Sequence, residues 1–101
     1  MCFTYIIRCK NESLYTGYTV DIKRRVEEHK VGKNCKYTRN YGFKNLEICF
    51  STSNKSEAMK VEYYIKQLSR LKKEELIQNP QEFIKDINNK KNIICKIIEI
   101  V

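Results

Sequence analysis

Several common sequence patterns are missing from this chain, and each absence excludes a class of protein. The five cysteines form no C-x-x-C pair and are odd in number, which argues against a zinc ribbon or a disulfide scaffold. No apolar run approaches the ~20 residues that a membrane-spanning helix needs. No basic-then-apolar signal region opens the sequence. There are no internal repeats and no domain linker. We therefore expect a cytoplasmic protein with reduced thiols.

Length and charge narrow the choice further. The chain has 101 residues, which suits a single domain. Lysine and arginine number 20 against 12 acidic residues, giving a net charge of +8. Such an excess favours a polyanionic partner. A lysine-rich composition of the kind found in A+T-rich genomes would explain the charge equally well, so charge alone does not decide.

The first half of the sequence predicts a hairpin followed by a helix. Residues 2–9 and 14–18 are aromatic and β-branched, as strands are, and a polar turn at 10–13 joins them. A helix is predicted over residues 20–30, with Thr19 as its N-cap and Asp21 in its first turn. Gly32 is a natural end for this helix. The basic, aromatic segment 32–44 is expected to be an ordered surface loop that could hold a turn of helix.

The second half predicts one more strand, several helices and a terminal strand. Residues 46–51 form the strand, and Asn54 caps a helix of about four turns. Short helices follow at 71–77 and, from Pro80, at 81–88, with a turn at 88–92. The β-branched tail 93–101 reads as a strand added to the sheet edge or paired with another copy.

The helix at 20–30 places two unusual side chains on its buried side. At about 100° per residue, Arg25 lies roughly 60° from Ile22, while His29 lies only about 20° from Ile22. Arg24 points almost the opposite way. An arginine beside an apolar stripe usually lays its stem on the core and its head in water, but a buried guanidinium is costly unless an anionic group meets it.

Three other residues add polar groups to the predicted core. Tyr5 and Tyr15 come together on neighbouring strands, and Glu62 interrupts the apolar stripe of the third helix. Each has an ordinary explanation, in cross-strand packing or in pairing with a lysine. Taken together with Arg25 and His29, they resemble the parts of a metal-assisted phosphodiester hydrolysis site with one divalent cation.

The loop after the first helix could supply contacts to a nucleic acid. It and its flanks carry lysines, an arginine and a tyrosine that could bind phosphates, stack on bases or simply pack, and Gly17 could let a substrate approach closely. These candidate nucleic-acid-binding residues are Gly17, Lys33, Lys36, Tyr37, Arg39 and Lys44.

The order of these motifs resembles the GIY-YIG endonuclease domain, and most closely its small stand-alone bacterial members. The matching elements are Tyr5, Tyr15-Thr16-Gly17, Asp21-Ile22-Lys23-Arg24-Arg25 with His29, the run 32–39, and the helix 56–68 with Glu62. The likeness covers residues 3 to 78. Two departures affect the glycine and isoleucine of the first motif, where Phe3-Thr4 stand, and the isoleucine of the second, where Thr16 stands.

The resemblance implies a fold and an activity. The fold is α/β (α+β), a small three-stranded antiparallel sheet flanked by helices, in a nuclease-like domain at 1–79. Outside the resemblance, the residue pattern predicts a C-terminal helix–strand extension at 80–101 packed on the same domain. The activity is DNA cleavage one strand at a time, leaving a 5′-phosphate and a 3′-hydroxyl. Tyr5 or Tyr15 would position or activate water, Arg25 would stabilise the transition state, and His29 would move a proton or bind phosphate. Glu62 would bind Mg²⁺ or Mn²⁺.

Two other functions remain open at this point. The domain could bind nucleic acid without cutting it, or cut only with a partner. The tail from Pro80 could also serve as a dimer contact or a docking surface for another protein.

Overall fold

The computed structural model describes residues 1–100 of the chain. These residues contain four strands and five helices. In chain order they are β1 (Cys2–Cys9), β2 (Leu14–Thr19), α1 (Ile22–Val31), α2 (Lys36–Tyr41), β3 (Phe43–Thr52), α3 (Lys55–Lys66), α4 (Arg70–Gln78), α5 (Pro80–Lys91) and β4 (Lys96–Ile97).

The strands form one antiparallel sheet in the order β2-β1-β3-β4. This confirms the predicted mixed fold with an antiparallel sheet flanked by helices. The sheet has four strands rather than three, because the tail adds a two-residue strand to the β3 edge, where Ile97 pairs with Phe50. The predicted tail strand was therefore too long within residues 93–100, and Val101 lies outside the described residues.

Alternation along β1 separates two apolar clusters, one on each face of the sheet. Tyr5 and Ile7 point toward α1 and pack with Ile22 and Val26. Ile6 points the other way. It joins the larger cluster, which α3, α4 and α5 complete with Val61, Ile65, Leu76, Phe83 and Ile87.

The helix caps differ in one place from the prediction. Asp21, not Thr19, is the N-cap of α1: its carboxylate accepts a hydrogen bond from the Arg24 amide at 3.2 Å. Thr19 instead accepts one from the Asp21 amide at 3.1 Å, which orders the turn before the helix. The predicted end at Gly32 is confirmed, since this residue has a φ of 71° that favours glycine. Asn54 caps α3 as predicted.

The structure also tests two loop predictions. The segment 32–44 contains the six-residue helix α2, which agrees with the turn of helix allowed there, but β3 starts earlier than predicted. The turn predicted at 88–92 was wrong, because α5 continues to Lys91. The chain turns instead at Asn92, which takes a left-handed φ of 54°.

Residues 80–100 contribute to both faces of the sheet. Phe83, Ile87 and Ile93 lie in the cluster under α3, whereas Ile98 and Ile100 pack against the cluster under α1. The tail therefore passes around the β3 edge and covers both sides of it. Among the helices of residues 1–100, none has both the length and the apolar character to cross a membrane.

Candidate active site

An open hollow of about 480 Å³ lies where β1, β2, α1 and α3 meet. Four of the five residues predicted to be catalytic line it, and each comes from a different element. Its lining residues are Tyr5, Tyr15, Gly17, Tyr18, Thr19, Arg24, Arg25, Glu28, Asn34 and Glu62. The fold thus brings together two phenols, a guanidinium and a carboxylate that lie up to 57 positions apart in the sequence.

Tyr5 forms the floor of the hollow, with only 1 % of its surface exposed. Its hydroxyl lies 2.7 Å from His29 Nε2 and accepts a hydrogen bond from Arg25 Nε at 3.4 Å. Gly17 is its partner across the strands, and a Cβ at that position would lie 2.6 Å from Tyr5 Oη. Gly17 is therefore required by the phenol of Tyr5 as well as by the shape of the hollow.

His29 lies behind this floor rather than in the hollow. Its side chain is fully buried, and Nδ1 lies 3.0 Å from Thr38 Oγ1. Burial, with the Arg25 charge nearby, lowers the pKa of His29 to about 4, so the ring is neutral at pH 7. The sequence placed His29 correctly on the buried side of α1, but α2 seals it from solvent.

The directions of the hydrogen bonds between these side chains follow from Arg25, whose guanidinium can only donate. Arg25 Nε–H donates to the Tyr5 oxygen, so the hydroxyl proton of Tyr5 can point to His29 Nε2. His29 Nδ1–H then donates to the Thr38 hydroxyl, which lies 3.5 Å from the Cys35 carbonyl. Burial raises the pKa of Tyr5 well above its usual value, so the phenol keeps its proton at neutral pH.

Arg25 is held on three sides at the wall of the hollow. Besides Tyr5, its guanidinium contacts the Glu28 carboxylate at 3.0 Å and the Asn34 carbonyl at 3.3 Å. The hydrogen bond from Arg25 lowers the pKa of Glu28 below its usual value, and a second hydrogen bond from the Asn34 amide lowers it further. Such anchoring leaves the guanidinium fixed in direction at the hollow, as a transition-state contact would require.

Arg24 does not behave as the helical projection predicted. It is exposed, yet it lines the hollow together with Arg25. The projection gives the direction of the Cα–Cβ bond, whereas a long arginine side chain can curve back over the N-terminal turn of the helix.

Glu62 supplies a carboxylate to the hollow from the α3 side. Its side chain is 18 % exposed, and its only ion-pair partner among residues 1–100 is Lys66, at 3.7 Å. The other lining carboxylate, Glu28, is occupied by Arg25 and Asn34. Residues 1–100 contain no group of three or more His, Cys, Asp or Glu side chains arranged to hold a metal. The donor set fits a cation such as Mg²⁺, which binds through one carboxylate, substrate phosphate and water.

Most of the predicted nucleic-acid-binding residues lie outside the hollow; only Gly17 lines it. Lys33, Lys36 and Arg39 are exposed on and before α2, and no ion pair engages them within residues 1–100. Lys44 is paired with Glu12 at 2.7 Å.

Tyr37 has a packing role in the structure. Its ring is half-buried and lies between those of Tyr15, at 5.4 Å, and Tyr41, at 4.8 Å. Of these aromatic residues, Tyr41 is the more open to solvent, with 46 % of its surface exposed.

Sequence reasoning missed several lining residues. Tyr18 and Thr19 were assigned to the strand end and the cap, and Glu28 was not considered. Its spacing of three from Arg25 on a helix was a signal that could have found it. Asn34 gave no such signal, because its place depends on a left-handed φ of 59° in the turn before α2.

A comparison with protein families finds a match over most of the chain. The family model described as the GIY-YIG catalytic domain matches residues 1–75, about three quarters of the chain. The chain belongs to the GIY-YIG family. This confirms the resemblance drawn from the sequence.

Individual relatives of this GIY-YIG domain are small proteins named UPF0213. UPF0213 protein BH0048 of Halalkalibacterium halodurans is 48 % identical over 75 residues, covering 74 % of this chain and 80 % of that protein. Its solution NMR structure matches with a TM-score of 0.51, covering 77 % of this chain and 84 % of that chain.

A further relative extends the likeness beyond the catalytic domain. UPF0213 protein FN1575 of Fusobacterium nucleatum is 38 % identical over 94 residues, or 93 % of this chain and 94 % of that protein. A match of 94 residues cannot fit within residues 1–79. Relatives of this GIY-YIG domain therefore share at least part of the segment after Pro80, which the sequence-based resemblance left out.

Proposed function

We propose that this GIY-YIG domain is a metal-dependent DNA endonuclease that hydrolyses phosphodiester bonds one strand at a time with a single Mg²⁺ or Mn²⁺ ion. The observation that carries the proposal is the shared position of Tyr5, Arg25 and Glu62 around one open hollow. Polar groups beside an apolar core lower the stability of the fold unless they form hydrogen bonds or ion pairs, or contact a ligand.

Each side chain would act on one part of the phosphodiester. Arg25, already fixed by Glu28 and Asn34, would contact a non-bridging oxygen and offset the charge that grows on the phosphorus. Glu62 would hold the divalent cation, which when bound neutralises phosphate charge and lowers the pKa of a coordinated water. Tyr15, half-buried beside Tyr5, would orient the substrate or the attacking water.

The hydrogen bonds of Tyr5 support a proton path that starts at its hydroxyl. Tyr5 Oη would accept a proton from the attacking water and pass its own proton to His29 Nε2, which lies 2.7 Å away. Thr38 would hold the other nitrogen of the ring. His29 would then act through Tyr5 and never touch the substrate.

A nicking assay tests the proposal directly. Supercoiled plasmid and branched, single-stranded and duplex oligonucleotides are incubated with Mg²⁺ or Mn²⁺, with Glu62→Gln alongside as a variant of nearly equal size. We expect cleavage by the natural protein and none by Glu62→Gln, while both bind DNA with similar affinity and melt at similar temperatures.

The result also separates the proposal from its alternative. If both proteins bind DNA and neither cuts any substrate, the domain is a binding module, or it requires a partner for cleavage. If Glu62→Gln loses its fold, Glu62 has a structural role.

A second test concerns the basic residues around α2. Replacing Lys33, Lys36 and Arg39 with glutamine should weaken DNA binding and lower the dependence of the affinity on salt, by about 0.9 in slope for each phosphate that the variant no longer binds. An unchanged slope would remove this segment from the DNA-binding surface.

A further inference from the structure

A groove on the outer side of α3 combines exposed apolar side chains with lysines. It has a volume of about 870 Å³, and its lining includes Lys55, Met59, Lys60, Tyr63 and Lys91. Tyr63 is 67 % exposed and Met59 44 %, one helical turn apart. Single exposed apolar residues are common on protein surfaces, so it is their combination with the surrounding charge that indicates a ligand.

The charge of this groove has one sign. No aspartate or glutamate lines it, and Lys55, Lys60 and Lys91 form no ion pair with any residue in the range 1–100. One turn further along the same helix, by contrast, Lys66 faces Glu62 at 3.7 Å. Three unneutralised ammonium groups around an aromatic ring repel one another and attract a polyanion.

The aromatic ring distinguishes among polyanions. Tyr63 is largely exposed, so an unpaired base can stack on its ring while the lysines contact the phosphates. The bases of a duplex are stacked on one another and offer no free face to such a ring. The groove thus suits a single strand better than a double helix.

The groove also lies close to the proposed cleavage site. Tyr63 follows Glu62 directly in α3, so the two side chains are about 100° apart around the helix. On a helix with a diameter of about 10–12 Å, this corresponds to an arc of about 10 Å. A strand held in the hollow can reach the groove without leaving the protein surface.

We propose that the outer side of α3 binds an unpaired DNA segment continuous with the strand in the hollow. The inference rests on the proposed function and specifies its substrate class as DNA with a single-stranded stretch beside the cut. Tyr63 stacks on a base, Met59 adds apolar contact, and Lys55, Lys60 and Lys91 bind phosphates.

Binding measurements on the full chain test this surface without any cleavage. The Glu62→Gln protein, in the absence of divalent metal, is titrated against labelled oligothymidine and a hairpin duplex of equal length. Adding Tyr63→Ala should weaken oligothymidine binding by about 5- to 100-fold, as the loss of one stacking platform does. Tyr63→Phe should bind as before, and duplex binding should not change.

The lysines provide a second, independent readout. Lys60→Gln should reduce the salt slope of oligothymidine binding by about 0.7. Lys85→Gln, which removes the same charge from the exposed side of α5, should leave the slope unchanged.

Several outcomes would overturn the proposal. These are no binding of oligothymidine, equal loss of duplex binding in Tyr63→Ala, tighter binding of oligouridine than of oligothymidine, or a change in the oligomeric state of the free Tyr63→Ala protein. The last two would assign the groove to RNA or to a second copy of the chain. Loss of oligothymidine binding in Tyr63→Ala would support the surface even if the natural protein cut no DNA, so the two proposals can fail separately.

Discussion

The two faces of the sheet are built from the same strands but have different chemistry. The face under α3, α4 and α5 is almost wholly apolar, with Phe50, Ile65 and Ile87 fully buried. The face under α1 contains a buried chain of polar groups that links Tyr5, His29 and Thr38. One face therefore contributes most of the apolar burial, and this leaves the other free to hold polar groups in fixed positions.

The largest expected effect of a substitution is on cleavage, and it concerns the face of the sheet under α1. Arg25→Ala should reduce DNA cleavage by on the order of 10³-fold, as the loss of a cation that stabilises a phosphoryl transition state does. Arg24→Ala is the matched control, since Arg24 lines the same hollow but is exposed and not anchored as Arg25 is. We expect it to weaken cleavage by less than about tenfold, measured as the initial rate of plasmid nicking. Equal losses in the two variants would contradict the distinct role of Arg25.

The apolar face should respond in stability instead of in rate. Ile87→Ala removes a fully buried side chain and should lower the free energy of unfolding by about 2–5 kcal/mol, measured in urea. Nicking per folded molecule should be unchanged. Ile94→Ala, at a site that is 67 % exposed, should change the stability by less than about 0.5 kcal/mol. A fall in nicking per folded molecule for Ile87→Ala would show that the faces are not separate.

The pH dependence of stability should report on His29. Its pKa falls from 6.5 to about 4 on folding, so the unfolded chain takes up the proton first as the pH drops. Stability is therefore complete above pH 6.5 and declines toward pH 4, by about 3 kcal/mol in total.

A control variant separates this effect from acid titration elsewhere. Arg8 holds the pKa of Glu74 at about 2, so that carboxyl affects stability below its unshifted value of 4.5. Between pH 6.5 and 4.5, His29→Gln should show a flat urea midpoint where the natural protein shows a declining one. A parallel decline in both would assign the effect to another group.

The smallest expected effect concerns a hydroxyl on the apolar side. Thr16 is 4 % exposed, and its Oγ1 is the one buried side-chain nitrogen or oxygen atom within residues 1–100 that has no hydrogen-bond partner. Thr16→Val keeps the shape and removes the unsatisfied group, so it should leave the stability unchanged or raise it by up to about 1 kcal/mol. Thr4→Val is the contrast, since Thr4 donates to the Ala58 carbonyl at 2.8 Å and should lose stability. A loss in Thr16→Val equal to that in Thr4→Val would indicate that Thr16 has a partner.

The sequence predicted those features that depend on local periodicity. The predicted hairpin brought Tyr5 and Tyr15 together on neighbouring strands, and the helical repeat placed Arg25 and His29 on the inner side of α1. The features it missed depend on the third dimension. Full burial of His29 requires α2, whose position is set by a left-handed turn at Asn34, and the inclusion of Arg24 in the hollow depends on a side-chain conformation.

Gly17 shows how a correct signal can have an incomplete explanation. The sequence identified the glycine as a place of close approach, and the structure shows that the approaching group is the Tyr5 phenol from the neighbouring strand. A cross-strand contact of this kind depends on register, which no single strand reveals.

The path of the tail around the β3 edge has a consequence during synthesis. Ile93 completes one cluster and Ile98 and Ile100 contribute to the other, so neither side of the sheet is fully covered until these residues have left the ribosome. A nascent chain that stops near Asn79 exposes apolar surface on both sides at once, which is the condition under which growing polypeptides associate or need a chaperone. Both sides of the sheet are then completed together, once residues 93–100 are available to fold.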